Sequence, residues 1–177
     1  ARASLDKMAI RKNLLRRIGE LSGEGVKVAT PRAAGGKVFF ERRAVGESDY
    51  RLIARMADGK ERVLADPATF SKAGAPASID WWLPSPDGNH LVFGVSTGGS
   101  EASVGHVIDV NTGEILAERL LDTPYPAISW LPDSSGFFYN RFAGRPNGDP
   151  AYYNDRTACL HRLATPQSDD VTIMRAG

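Results

Sequence analysis

Cysteine and long apolar runs are the two features that this sequence largely lacks. Its single cysteine, Cys159, excludes an internal disulfide framework among the 177 residues. No apolar run approaches the roughly 20 residues of a membrane-spanning helix. A formal net charge of +1 gives no strong field for attracting a polyanion. We therefore expect no nucleic-acid partner and no membrane partner.

Residue patterns that bind metals or cofactors are also missing. The three histidines, His90, His106 and His161, show no metal-ligand spacing with one another or with Cys159. Gly23-Glu-Gly25 lacks the Lys and Ser or Thr that complete a phosphate-binding loop. No pair of carboxylates stands out as an acid/base couple. We expect no metal, no cofactor and no catalytic residue in this stretch.

Proline is absent from the first 30 residues, where a helical pattern occurs instead. Ser4 suits the N-cap, and Gly23 and Gly25 suit the end of the helix. We predict a helix and linker over residues 1–25, followed by a domain over residues 26–177. The apolar residues at helical spacing are Leu5, Met8, Leu15, Ile18 and Leu21.

From residue 26 onward the sequence repeats a β-rich pattern. Trp82-Leu-Pro-Ser-Pro-Asp-Gly88 and Trp130-Leu-Pro-Asp-Ser-Ser-Gly136 each place a tryptophan before a turn and an apolar run, and their Pro-Asp pairs lie 46 residues apart. Propeller blades repeat at about 40–50 residues. The repeated tryptophans are predicted to be core residues rather than a ligand-stacking set.

Hairpin signals recur in phase with these turns. Asp58-Gly59 predicts a two-residue type I′ turn, and Asn111-Thr-Gly113 suits a three-residue loop. A looser copy spans residues 160–173. Together the two series predict a mainly β chain: about three blades of a propeller preceded by one helix.

A match to the G-x-S-x-G nucleophile motif occurs at Gly94-Val-Ser-Thr-Gly98. As a free-standing esterase, the chain would use Ser96 with His106 as base and Asp109 as its orienting group. The motif requires a sharp turn from a strand into a helix. Glycine and serine residues that disfavour a helix follow instead, so we interpret the segment as the strand, turn and strand of a blade.

Three segments carry a resemblance to a known family. They are Trp130-Leu-Pro-Asp-Ser-Ser-Gly-Phe-Phe-Tyr-Asn-Arg141, the Ser85-Pro-Asp-Gly88 turn and Leu163-Ala-Thr-Pro-Gln-Ser-Asp-Asp-Val171. The chain resembles the N-terminal part of prolyl oligopeptidases, from about residue 5 to residue 173. Ala164 stands where the family usually has glycine.

The resemblance implies a serine peptidase that hydrolyses short peptides on the carboxyl side of proline. Family members join a seven-bladed propeller, which gates access of the substrate, to an α/β-hydrolase domain that carries the catalytic triad. We expect that domain to lie outside this stretch, so the chain would be a piece of an enzyme and inactive alone. Its partners would be short proline-containing peptides and the missing hydrolase domain.

The resemblance also implies roles for two residues. Tyr125 matches a propeller aromatic that reaches the peptide-binding cavity. Glu101 matches an acidic residue that faces the hydrolase domain. We further expect a possible dimer through open propeller surfaces, and a cytoplasmic location with the periplasm as the alternative. The alternative function is that of a non-catalytic TolB-like propeller that binds a protein partner.

Overall fold

The computed structural model describes residues 9–22, 25–142, 149–151 and 154–175. Within these ranges the chain folds into one helix and twelve strands, with short 3-10 helices at Pro67–Phe70 and Gln167–Asp169. The elements are α1 (Ala9–Ser22), β1 (Lys27–Ala34), β2 (Lys37–Arg43), β3 (Arg51–Arg55), β4 (Glu61–Ala65), β5 (Ala77–Pro84), β6 (His90–Thr97), β7 (Val104–Asp109), β8 (Ile115–Leu120), β9 (Ser129–Trp130), β10 (Gly136–Arg141), β11 (Thr157–Arg162) and β12 (Val171–Arg175).

The strands form three four-stranded antiparallel sheets, each paired in chain order. We call β1–β4 blade 1, β5–β8 blade 2 and β9–β12 blade 3. This arrangement confirms the prediction of a mainly β chain with about three propeller blades after a helix.

Two apolar cores hold the blades together, and blade 2 contributes to both. Phe93 packs in the core shared with blade 1, which contains Phe39 and Leu52. Its neighbour Val92 packs in the core shared with blade 3, which contains Phe137. Successive side chains of a strand point to opposite faces of the sheet. The central strand of blade 2 is therefore buried on both faces, which explains its apolar run.

The turns between the first two strands of each blade contact one another. A Cβ atom on Gly35 would lie 1.8 Å from the Asp87 carbonyl oxygen, and one on Gly88 would lie 2.6 Å from the Ala34 carbonyl oxygen. The Asp87 backbone N–H also donates to Ser134 Oγ at 3.2 Å. These three turns thus form a continuous contact along one end of the blades.

The 46-residue spacing of the turns is confirmed by their hydrogen bonds. Ser85 N–H donates to His90 O in blade 2, and Leu131 N–H donates to Gly136 O in blade 3, each at 2.9 Å. The same register makes Trp130 the counterpart of Pro84 rather than of Trp82. The prediction that the two tryptophans repeat one blade position is therefore wrong, although Trp82 is a core residue as expected.

The hairpin at Asp58-Gly59 forms, but its turn type differs from the prediction. Gly59 alone has a positive φ, of 83°, and its N–H donates to Met56 O at 2.9 Å. Met56 N–H in turn donates to Lys60 O at 2.8 Å. This pattern is a type I turn with a glycine bulge, because type I′ requires positive φ at both central residues.

Two other hairpins have loops of two and four residues. The β1–β2 hairpin closes through a two-residue turn at Gly35-Gly36, with positive φ at both positions, 53° and 73°. The loop predicted at Asn111–Gly113 has four residues instead of three, because Asp109 N–H donates to Glu114 O at 2.9 Å and so closes the hairpin outside Val110.

Helix α1 presents its apolar residues to solvent in the described part of the chain. Ile10, Leu14, Leu15 and Ile18 are each more than half exposed. The predicted N-cap Ser4 and the apolar residues Leu5 and Met8 lie outside the described residues. No helix in the described ranges is long and apolar enough to cross a membrane. The boundary at residue 25 stays a prediction.

Candidate functional site

The two residues with predicted roles lie on connections at the same end of blade 2. Glu101 belongs to the loop that follows β6, and Tyr125 belongs to the connection that follows β8. Strands β6 and β8 run in the same direction because each is antiparallel to β7. Their carboxyl ends therefore share one end of the sheet, opposite the contacting turns. We call this end the loop face.

Hydrogen bonds of Thr123 fasten the two connections together. The buried Thr123 donates from its backbone N–H and from Oγ1 to the Ser103 carbonyl oxygen, at 3.4 and 3.0 Å. Ser103, which is also buried, donates its hydroxyl to Asp80. Trp81 Nε1 donates to Thr123 O at 3.0 Å. The structure thus brings the Glu101 loop and the Tyr125 connection into direct contact through their backbones.

Tyr125 is displayed at the loop face rather than packed in a core. Its side chain is 57% exposed, and it follows the buried Pro124. Its φ of 48° lies in the left-handed region, which a bulky residue adopts only when the surroundings impose it. The connection therefore holds an aromatic ring outward from a fixed backbone.

Glu101 lies at the tip of the loop between β6 and β7. Gly98 and Gly99 open the loop with positive φ values of 64° and 70°, and Glu101 follows with a φ of 58°. The Glu101 carbonyl oxygen accepts a hydrogen bond from Ser103 N–H at 3.0 Å. The side chain is exposed. A carboxylate in this position is presented to whatever lies against the loop face.

A further part of the site, which the sequence did not reveal, is Asp122. Its carbonyl oxygen accepts a hydrogen bond from Phe142 N–H at 2.9 Å, which joins the Tyr125 connection to the end of β10 in blade 3. Burial raises the pKa of the Asp122 carboxyl group, while the charge of Arg141 opposes the rise. Blades 2 and 3 therefore both support the connection that carries Tyr125.

Gln167 supplies a second attachment for the same connection. Its side-chain amide accepts from Leu121 N–H and donates to Leu121 O, each at 3.0 Å. The amide also donates to Tyr139 Oη at 3.0 Å, and Tyr139 donates to Asp170 Oδ2 at 2.6 Å. His161 Nδ1 lies 2.7 Å from Asp170 Oδ1. Blade 3 thus carries a buried polar network that ends on the residue preceding Asp122.

Burial shifts the pKa values of titratable groups in and beside this network. It raises the pKa of the Tyr139 hydroxyl, and the nearby Asp170 carboxylate adds to the rise. Burial likewise raises the pKa of the Cys159 thiol, which keeps it in its unreactive protonated form. In the described ranges, no group of three or more His, Cys, Asp or Glu side chains could hold a metal ion. The hydrogen bonds of the network join blade 3 to the connection that carries Tyr125.

The sequence signal for the network was only indirect. Gln167 and Asp170 belong to the Leu163–Val171 run that carried the family resemblance. In the same run Ala164 has a φ of 61°, and its N–H donates to Oε1 of the buried Glu118 at 2.6 Å. Glycine adopts positive φ without strain, so this backbone position would suit glycine better than alanine.

Ser96 is not placed as a nucleophile. It lies within β6, is 3% exposed, and has its Oγ 3.4 Å from Ser78 Oγ. Gly94 is required for packing, since a Cβ atom there would lie 2.1 Å from the Trp81 ring. The His106 ring packs against Phe93, with centroids 5.5 Å apart. The segment is a buried strand followed by a loop and a second strand, so Ser96 does not lie on the strand-to-helix turn that the motif requires.

Comparison with known sequences assigns the chain to a family. The model of the prolyl oligopeptidase N-terminal β-propeller domain matches residues 1–177. The chain belongs to the prolyl oligopeptidase family. It is 30% identical over 152 residues to a prolyl endopeptidase of Elizabethkingia meningoseptica, and this match covers 84% of the chain and 21% of that protein. The chain thus spans about a fifth of the curated relative's length.

Solved structures show the same propeller region. One prolyl endopeptidase, analysed for the role of inter-domain dynamics in catalysis and specificity, matches with a TM-score of 0.85 and 31% identity over 97% of this chain and 25% of that chain. Prolyl oligopeptidase B of Galerina marginata, bound to a 35mer hydrolysis and macrocyclization substrate, matches with a TM-score of 0.80. That second match covers 99% of this chain and 27% of the other at 20% identity, and shows the fold alone.

Proposed function

We propose that this chain is the N-terminal propeller region of a serine peptidase that hydrolyses short peptides on the carboxyl side of proline. The observation that carries the proposal is the family match over the whole chain, together with 31% identity to a solved prolyl endopeptidase. The family match favours this function over that of a non-catalytic TolB-like propeller.

Catalysis would reside in an α/β-hydrolase domain elsewhere in the full protein. There a serine would attack the carbonyl carbon of the prolyl residue while a histidine takes up the serine proton and later passes it to the leaving amine. The part described here would supply no triad member. Its role would be to gate the approach of peptides and to present side chains at the loop face.

Glu101 is proposed to face the hydrolase domain across the loop face. Its loop is fixed by Ser103, which accepts from Thr123 and donates to Asp80, so the carboxylate projects from an ordered base. A charge at a domain boundary interacts with its partner only while the domains are closed. Its contribution should therefore weaken as salt rises, because ions screen exposed charges beyond about 8–10 Å.

Tyr125 is proposed to contact substrate residues upstream of the scissile bond. Its connection is held at Leu121, Asp122 and Thr123 by hydrogen bonds from both neighbouring blades. An aromatic side chain on an already ordered backbone costs less ordering when a peptide binds, which favours its use as a contact surface. One such apolar contact is worth about 1–3 kcal/mol in kcat/KM.

The activity can be tested with the full-length protein that carries this chain. A chromogenic peptide with proline before the scissile bond should be hydrolysed, whereas a matched peptide with alanine there should be cut far more slowly. A fluorophosphonate probe should label the full-length protein and leave the 177-residue chain unlabelled. Failure of the full-length protein to cleave or to label would favour the TolB-like alternative.

The two residue roles can be separated by substrate length. Tyr125→Ala should lower kcat/KM by about 5- to 150-fold for long peptides and hardly at all for minimal ones, whereas Tyr125→Phe should retain most of the activity. Glu101→Gln should change the salt dependence for peptides of every length. Glu114→Gln, in an exposed turn at the opposite end of blade 2, is the matched control. Equal losses for short and long peptides in Tyr125→Ala would contradict the proposed contact.

Two further proposals concern self-association of the 177-residue chain and the cellular location of the protein. A dimer of the chain would form through the outer face of blade 3, where Phe138 and Val171 are exposed. Sedimentation of the chain with and without Phe138→Lys would test it, since the substitution should favour the monomer.

We propose a cytoplasmic location, and fractionation that recovers the protein from the periplasm would contradict it.

A further inference from the structure

A recess with a basic lining lies between blade 2 and the segment that links blade 1 to it. Its volume is about 220 Å³, and Phe70, Lys72, His106 and Arg119 contribute to its walls. A water molecule occupies about 30 Å³ of the liquid, so the recess has room for a small organic molecule. Its lining from blade 2 comes from β6, β7 and β8 and from Ala102 of the Glu101 loop.

The strand register explains why His106 and Arg119 of blade 2 meet here. Phe93 pairs with His106, and His106 pairs with Arg119, so these side chains form one row across three strands. Phe70 of the first 3-10 helix covers the row, with its ring centroid 5.3 Å from that of His106. The histidine is therefore held between aromatic rings at the floor of the recess.

Lys72 lines the recess from the segment that links blade 1 to blade 2. The turn that carries it is closed by two backbone hydrogen bonds, from Lys72 N–H to Ala75 O at 3.1 Å and from Ala75 N–H to Lys72 O at 2.9 Å. The backbone of Ala77 then donates to Ser71 Oγ at 2.9 Å. The base of the lysine is thus positioned before any ligand binds.

The positive charge in the recess has no counter-charge within the described part of the chain. No lining residue is acidic, and neither Lys72 nor Arg119 forms an ion pair or a side-chain hydrogen bond with a described residue. Burial, and secondarily the charge of Arg119, lowers the pKa of His106. An anion bound in the recess would offset the charges of the two cations that line it, Lys72 and Arg119.

The remaining walls indicate what kind of anion fits. Val95 and Val104 also line the recess, beside the Phe70 ring. These apolar surfaces suit a carbon skeleton, and a bare inorganic ion would leave them unused. We propose that the recess binds an aliphatic carboxylate, which Arg119 and Lys72 hold by charge-assisted hydrogen bonds. The inference rests on the cavity and is independent of the proposed peptidase activity.

The test follows the His106 ring signal of the 177-residue chain by NMR during a pH titration, with the signal identified by its loss in His106→Gln. Succinate should raise the pKa of His106 in a saturable manner, because a bound carboxylate stabilises the imidazolium. Succinamide, the neutral analogue, should have no effect at equal ionic strength. Inorganic phosphate should bind more weakly than succinate.

Substitutions locate the effect. Arg119→Gln should weaken succinate binding by about tenfold or more, as loss of a charge-assisted contact implies. Arg162→Gln, an exposed arginine of blade 3, should leave binding unchanged. Absence of a saturable response, an undiminished response in Arg119→Gln, or binding of phosphate as tight as that of succinate would each overturn the proposal.

The source of the carboxylate is distinguished in the full-length protein. If an acidic side chain from the rest of the protein fills the recess, the pKa of His106 will already be raised and succinate will add nothing. If the ligand is a free acid, the full-length protein will respond to succinate as the 177-residue chain does. Either result identifies the source of the carboxylate. Whether the recess binds a carboxylate at all is decided by the first titration.

Discussion

Substitution of Gly35 by alanine should destabilise the chain more than the same change at its neighbour Gly36. Both glycines have positive φ, so each alanine incurs roughly 1 kcal/mol of backbone strain. Of the two, Gly35 alone lies against another blade. A Cβ atom added at Gly35 would lie 1.8 Å from the Asp87 carbonyl oxygen, whereas one added at Gly36 would meet nothing within 4 Å. The obstructing atom belongs to the backbone, so a side-chain rotation cannot relieve the clash.

The size of the difference follows from the cost of forcing atoms into a packed region, which is about 1–3 kcal/mol. We expect Gly36→Ala to lower the unfolding free energy by about 1 kcal/mol and Gly35→Ala to lower it by about 2–4 kcal/mol. For a chain of this size each kcal/mol corresponds to about 2–4 °C in Tm. Urea and thermal unfolding followed by circular dichroism would measure both variants. Equal losses would refute the argument that the two turns are in contact.

Two further predictions concern buried polar groups. Tyr139→Phe removes the hydroxyl that donates to Asp170 and accepts from Gln167, so it should cost about 1–3 kcal/mol in urea unfolding, and a neutral result would show that the network adds no stability. The pKa of His106 is lowered in the folded chain, so the unfolded chain binds a proton first as the pH falls. The stability that this histidine contributes is therefore complete above about pH 6.5 and is lost as the pH falls from there toward its folded pKa. His106→Phe should reduce the fall in unfolding free energy between about pH 7 and pH 5, and an unchanged fall would show that other groups cause it.

The repeat could be predicted because its signals are local. The Pro-Asp turns at 86–87 and 132–133 fixed the blade period, and the hairpins followed from glycine and asparagine between apolar runs. The turn type at Asp58-Gly59 could not be predicted in this way. An aspartate before glycine suits either type, and here the Asp58 carboxylate accepts from Lys60 N–H at 3.0 Å and so favours the bulged form.

The register and contacts between blades could not be predicted from the sequence pattern. Trp82 and Trp130 look equivalent in the two segments, yet strand pairing places them two residues out of register. The attachment of Gln167 to Leu121 spans 46 residues and joins segments with no common motif. Tyr125 and Glu101 came from the family resemblance alone. That their connections meet through Thr123 and Ser103 could be learned only from the fold.

The outer face of blade 1 differs from the other apolar surfaces of the molecule. Phe40 is only 4% exposed and Ile53 only 1%, although no sheet lies against this face within the described residues. Arg42 and Arg55 both lie over the Phe40 ring, at 5.9 and 5.6 Å from its centroid, and Glu61 pairs with both arginines.

The consequence concerns synthesis on the ribosome. N-terminal segments leave the ribosome first and wait for the rest of the chain while their apolar surfaces are open to aggregation. Among the three described blades, blade 1 is synthesised first, and its arginine stems and the Glu61 carboxylate shield its outer face while blades 2 and 3 are made. Blade 1 thus carries its own protection against premature association through its outer face, whereas Phe138 and Val171 leave the outer face of blade 3 more open.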